Sequence, residues 1–131
     1  MATRAQSPPK PDIQAHQEAS LLTFAEIVSR LSEIVGKKLI AYVAGVKDVR
    51  TVEGWINGAG PQKEADPRLR LMFQVVRMLT LAETKPIIQA WLMGVNPILG
   101  DRVPIRVLRE GDLAEVGPEI MGAARAFLAG G

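Results

Sequence analysis

Apolar residues in this chain recur at three- and four-residue intervals, the period of helices that bury one face. The clearest run is Phe24, Ile27, Val28, Leu31, Ile34 and Val35, and it is preceded by Thr23 with Glu26 three residues on. Such a pair closes a capping box, so a helix begins at Thr23 and ends at Gly36. A short second helix covers Lys38 to Gly45, with Leu39, Ile40, Val43 and Ala44 apolar and Gly45 suited to positive φ. The third opens at Asp48, a good N-cap, carries Val52, Trp55 and Ile56, and stops at Asn57-Gly58. Gly60, Pro61 and Pro67 predict a loop. After it, Leu69, Met72, Phe73, Val76 and Leu79 or Thr80 define a longer fourth helix with its bases off the apolar stripe. Pro86 suits the first turn of a fifth, which carries Ile87, Ile88, Ala90, Trp91 and Leu92.

The two ends read differently. Residues 1–20 are rich in Pro, Gln and Ala without a periodic apolar pattern, which predicts a flexible arm. Toward the other end Asn96-Pro97, Gly100, Pro104, Gly111 and Pro118 interrupt the chain every few residues. Only short helices fit between them, over Pro104 to Glu110 and Asp112 to Leu128. Alternating apolar and polar runs bounded by turn dipeptides are missing, so the expected class is all-α, with no internal repeat. A chain of 131 residues makes one compact domain, or a small domain with an appended lobe.

Composition removes several classes of function. With no cysteine, disulfide scaffolds and cysteine-based zinc sites are excluded. The single histidine, His16, falls in the predicted arm, which leaves no histidine pair for a metal and no Ser/His/Asp set. Neither glycine-rich phosphate fingerprint is present. The expectation is therefore a non-catalytic protein without cofactor or metal, and a small enzyme is set aside for want of a nucleophile, base or metal constellation. No stretch approaches the roughly 18 apolar residues of a membrane span. Pro8, Pro9, Lys10 and Pro11 stand where a signal peptide would be apolar, so the expected location is the cytoplasm. The net charge is only +2, but the segment from Arg30 to Arg77 holds nine bases against five acids. Contact with phosphates requires such a segment, and a solvated helical surface can look the same.

Within that segment Lys38 to Gly58, KLIAYVAGVKDVRTVEGWING, resembles the helix-turn-helix of Xre-type repressors. Val52 and Trp55 then form the inner face of the recognition helix. Arg50, Thr51, Glu53 and Gly54 face outward, flanked by Lys47 and Asn57. Arg50 is the candidate for a guanine edge, and Thr51 for a phosphate or thymine methyl. The DNA-binding set is Lys47, Arg50, Thr51, Glu53 and Asn57. Two alignments are open: Ala41 at the family's small position leaves the turn one residue longer, and the other places Tyr42 there.

Ala90 to Val116, AWLMGVNPILGDRVPIRVLREGDLAEV, is similar to the C-terminal toxin-binding domain of the Xre/MbcA/ParS antitoxin family. The resemblance rests on Trp91, Leu92, Asn96, Pro97, Leu99, Gly100, Pro104, Leu108, Gly111, Asp112 and Val116. With the upstream helices it covers roughly Leu22 to Leu128 and leaves the arm over 1–20 unexplained; it implies an Xre-like helix-turn-helix bundle over 21–84 and a small helical toxin-binding domain over 85–131. The implied activity is that of an antitoxin in a type II toxin-antitoxin pair. Its partner would be a RES-domain toxin that depletes NAD, neutralised by steric occlusion of the active site. Homodimerisation, a hetero-oligomer with the toxin and repression of its own operon through operator DNA are implied as well. Residues proposed against the toxin are Asn96, Arg102, Arg106, Arg109, Met121, Arg125, Phe127 and Leu128. Several motif residues also have a purely structural reading, as caps and first-turn prolines. The reading from another class is a stand-alone transcriptional repressor, of phage derivation, without a toxin.

Overall fold

The fourth amphipathic segment is apolar on more than one side, and in the computed structural model, which describes residues 10–62 and 64–130, it is the central helix. In chain order the helices are α1 (Pro11–Leu21), α2 (Phe24–Val35), α3 (Lys37–Ala44), α4 (Val49–Ile56), α5 (Ala65–Leu79), α6 (Lys85–Met93), α7 (Pro104–Glu110) and α8 (Leu113–Leu128), with a 3₁₀ turn at Pro97–Leu99. Among the described residues there is no strand, only an isolated antiparallel bridge between Asn96 and Arg102. Helix α5 buries Leu69, Leu71, Met72, Phe73, Val75, Val76, Met78 and Leu79. Its neighbours are α1, α2, α3, α7 and α8. A helix apolar nearly all round must be enclosed, and one continuous core results, running from Ala19 through Trp55 and Phe73 to Leu108, Ile120 and Ala124.

The caps form where the sequence calls for them. Thr23 Oγ1 accepts from the Glu26 amide at 3.2 Å, while Glu26 Oε1 accepts from the Thr23 amide and hydroxyl. Asp48 Oδ1 accepts from the Arg50 amide at 2.8 Å, and Asp112 Oδ1 accepts from Ala114 and Glu115. Pro67 lies within the first turn of α5 and not in the preceding loop, because a proline there sacrifices only an amide that has no intrahelical partner. Pro118 stands inside α8, on its exposed side, without ending it.

The N-terminal arm requires a correction. Residues 11–20 belong to α1, packed against α5, and the predicted arm from 1 to 9 lies outside the described residues. Periodicity could not reveal α1 because its buried residues are two alanines, Ala15 and Ala19, one turn apart. Polar contacts hold the rest. Glu18 pairs with Arg77 at 2.9 Å and Asp12 with Arg125 at 3.0 Å. Arg70 donates to the carbonyls of Ala19 and Leu22 at the end of the helix.

These contacts also reassign much of the positive charge of the central segment. Arg70 and Arg77 fasten α1, and Arg68 donates to the carbonyls of Leu108 and Gly111 at 2.9 and 2.8 Å, closing the end of α7. The three bases that α5 carries off its stripe are thus internal braces, and the free cations lie elsewhere.

The caps predict a pH dependence. The Thr23 hydroxyl and amide hold the Glu26 carboxyl below its usual range, and the Arg50 backbone amide does the same for Asp48. Both folded-state values lie below the unfolded ones. Their stabilisation is therefore complete at neutral pH, begins to fall near the ordinary carboxylate value of about 4, and is lost as pH drops through the lower folded value. Asp48→Asn keeps an acceptor but cannot ionise. It should flatten the acid limb of melting temperature against pH relative to the parent, and an identical limb would show that the Asp48 cap contributes nothing to it.

Candidate functional site

Helices α3 and α4 are joined by the four residues Gly45 to Asp48. Gly45 takes the left-handed conformation at φ 76°, and its amide closes onto the carbonyls of Ala41 and Tyr42. Ala41 is buried, whereas Tyr42 is half-buried. Of the two positions that could be the small one of the resemblance, Ala41 is the more enclosed. On α4, Val52 and Trp55 are buried, with Trp55 meeting the edge of Phe24 at 5.4 Å between ring centroids.

The opposite side of α4 is open. Lys47, Arg50 and Asn57 are exposed, and Thr51, Glu53 and Gly54 are half-buried. The Arg50 side chain is 84% exposed, and its only ionic contact among the described residues is Asp48 Oδ2 at 3.2 Å. Glu53 pairs with Lys37 of α3 at 3.6 Å, which partly neutralises it and ties the two helices together. Arg50, Thr51 and Glu53 lie within the first five residues of α4, and Lys47 lies in the turn that leads into it. Asn57 caps the other end of α4, about 10 Å along the axis from Arg50 at 1.5 Å per residue.

The C-terminal motif folds into caps and turns. Asn96 Oδ1 accepts from the Ile98 amide at 3.0 Å, and its backbone carbonyl accepts from Leu99 and Asp101. Gly100 and Asp101 both have left-handed φ, at 66° and 63°, which turns the chain so that Asn96 N donates to the Arg102 carbonyl at 3.0 Å. Asn96 is 8% exposed and Met121 equally so. Both are corrected from contact surface to interior: one holds the turn together and the other packs against the core.

The remaining residues proposed against the toxin do not form one patch. Arg102 donates to the Leu99 carbonyl and pairs with Glu119, and Arg106 pairs with Glu110 at 2.8 Å. Arg102 and Arg106 border a cleft of about 360 Å³ between α7 and α8. Arg125 and Leu128 border a second cleft, where α1 meets the end of α8. Phe127 is half-buried against Trp91, ring centroids 6.3 Å apart. Arg109 points elsewhere, onto Tyr42 of the α3–α4 unit.

Sequence reasoning missed Arg68 as the clasp of α7 and missed the role of Tyr42 beneath Arg109. It also did not single out the exposed apolar side chains of Ile87, Met93, Val95 and Ile98. Ile87 and Met93 lie on α6, and Val95 and Ile98 follow its end. Among the described residues no three or more His, Cys, Asp or Glu side chains gather as a metal site, and no helix is long and apolar enough to cross a membrane. No family model, no curated protein and no solved structure matches this chain.

Proposed function

We propose that the chain is the antitoxin of a type II toxin-antitoxin pair, binding operator DNA through α3 and α4 and neutralising a RES-domain toxin by occluding its active site. The observation that carries the DNA-binding half is the α3–α4 unit. Its inner face, Val52 and Trp55, is sealed in the core, while Lys47, Arg50 and Thr51 stand together at the start of α4 on the open side. An N-terminal first turn presented this way suits a major groove, with Arg50 reaching a guanine and Lys47 a phosphate. The antitoxin half rests on the resemblance of Ala90 to Val116. In this reading two copies pair about a two-fold axis and set two α4 helices on a palindromic operator.

The repressor without a toxin is the second reading. It is favoured by the scattering of the partner residues over separate clefts, with Asn96 and Met121 buried. Co-expression with the product of the neighbouring reading frame separates the two. Rescue of growth with NAD preserved supports the antitoxin, and absence of any toxicity to rescue supports the repressor.

Arg50→Ala tests the shared DNA-binding element. It should weaken binding to the chain's own promoter by about 1 to 3 kcal/mol, roughly 5- to 150-fold in Kd, and relax discrimination at one base pair. Neutralisation in the co-expression assay should be unaffected. Unchanged mobility-shift titrations would remove Arg50 from base reading.

A further inference from the structure

Among the described residues, most cations are committed to carboxylates within the chain. Among the described residues those outside any such ion pair are Lys10, Arg30, Lys38, Lys47, Lys85 and Arg109. Three of them converge. Lys38 of α3, Lys47 of the turn and Arg109 of α7 line one groove, floored by Ala41, Tyr42 and Val46 and ending at Asp48 and Val49. The sole carboxylate on that lining is Asp48, which is already engaged by the Arg50 amide and guanidinium.

Arg109 is held in place although it is exposed. Its guanidinium lies 4.5 Å from the Tyr42 ring centroid, and one terminal nitrogen donates to the Tyr42 carbonyl at 3.2 Å. A guanidinium has five N–H donors in a rigid fork. Stacking on the ring and a single carbonyl bond leave most of them available. A stacked arginine without a carboxylate partner, set beside two unpaired lysines, is a pre-positioned anion contact.

We infer that this groove takes the sugar-phosphate backbone of duplex DNA, so that α7 is part of the DNA interface and Arg109 belongs to it, not to a toxin-binding surface. The inference rests on the DNA-binding reading above. Its support is the groove's place and charge: it adjoins the first residues of α4, where Arg50 projects, and its cations come from three separate elements. A duplex carries a row of phosphates on either side of the groove that a recognition helix enters, and cations flanking that helix at its N-terminal end match one such row. The consequence is that the segment resembling a partner-capture domain also grips DNA, through one arginine on α7.

The test is the salt dependence of binding. Two probes are used: a duplex from immediately upstream of the chain's own reading frame, and a scrambled duplex of equal length. Each phosphate contact contributes about 0.9 to the slope of log K against log salt. Arg109→Ala should make that slope shallower by about one and weaken binding about three- to tenfold at 0.1 M salt on both probes alike. Arg109→Lys should retain the slope. A purely structural Arg109 would change the melting temperature of both variants and the slope of neither. Lys38→Ala, at an exposed residue with no side-chain hydrogen bond or ion pair among the described residues, should repeat the shallower slope. If the parent binds and the Arg109→Ala and Lys38→Ala lines run parallel to it, the groove does not meet DNA, although α4 still does. If the parent shifts neither duplex, the DNA-binding reading falls together with this inference.

Discussion

Trp55→Ala lowers the melting temperature by roughly 10 to 20 °C, corresponding to a loss of about 3 to 5 kcal/mol. The indole is 2% exposed and is among the largest fully buried side chains in the chain. It lies where α4 crosses α2 and meets the Phe24 ring edge-on at an interplanar angle of 68°. Truncation there removes the transfer contribution of an aromatic, an edge-to-face contact worth about 0.5 to 1.5 kcal/mol, and the support of α4 at once. The surrounding helices are tied to one another through α5 and can collapse only partly into the space. DNA binding should therefore disappear with folding, at temperatures where the parent is intact. Thermal unfolding followed by circular dichroism reads the effect. A parental melting temperature would mean that Trp55 contributes nothing to the core and that α4 is held by other contacts.

The N-terminal half of this fold was legible because its signals are local. A threonine and a glutamate three residues apart write a capping box, and both hydrogen bonds of that box are present at Thr23 and Glu26. Asp48 as the cap of α4, Gly45 as a left-handed end and the inward pair Val52 and Trp55 follow from the same rules. The C-terminal helices were bounded closely too, because Pro104, Gly111 and Asp112 are all punctuation. Helix α1 was hidden for the opposite reason. Its attachment depends on Arg70, Arg77 and Arg125, all more than forty residues away, and no window of local sequence contains those partners. The same long-range bonding misdirects a reading of charge. Arg68, Arg70 and Arg77 swell the basic count of the central segment while serving the ends of α7 and α1.

The candidate site divides along the same line. Lys47, Arg50, Thr51 and Glu53 are near one another because they sit on one short helix and its lead-in, a placement that local sequence fixes. The partner residues are not, since their joint placement depends on how α7 and α8 pack on the rest. Helix α7 packs on α3 as well as on α8 and α5, and α8 on α5. One core serves both halves, so removing α8 should strip Ile120, Ala123 and Ala124 from it and unfold the α3–α4 unit as well. Separate tests of DNA and partner binding must accordingly use surface substitutions and not truncations.

Gly111→Ala is the change that most sharply probes how the two halves are joined. Its backbone is ordinary, with φ −75°, so the glycine is not there for a left-handed turn. It is there for lack of space. A Cβ at this position would lie 2.5 Å from Val116 Cγ1, 2.9 Å from Val116 Cγ2 and 2.7 Å from the Val107 carbonyl oxygen. The valine methyls can yield by rotation or backbone adjustment, but the carbonyl is part of α7, where it accepts the Gly111 amide. Relief must therefore come from moving Gly111 itself, and its own carbonyl is gripped by Arg68 at 2.8 Å. The Arg68 side chain is only 16% exposed, so losing that partner leaves a largely buried charge with fewer hydrogen bonds. The expected cost is about 1 to 3 kcal/mol, toward the upper end because the overlap involves backbone. A double-mutant cycle locates the strain. Val116→Ala removes both methyl contacts, so combining it with Gly111→Ala should cost less than the sum of the single changes by at least about 0.5 kcal/mol. Strict additivity would place the whole conflict on the Val107 carbonyl. A Gly111→Ala protein with parental stability would show that the end of α7 shifts freely, in which case Arg68 does not clamp it.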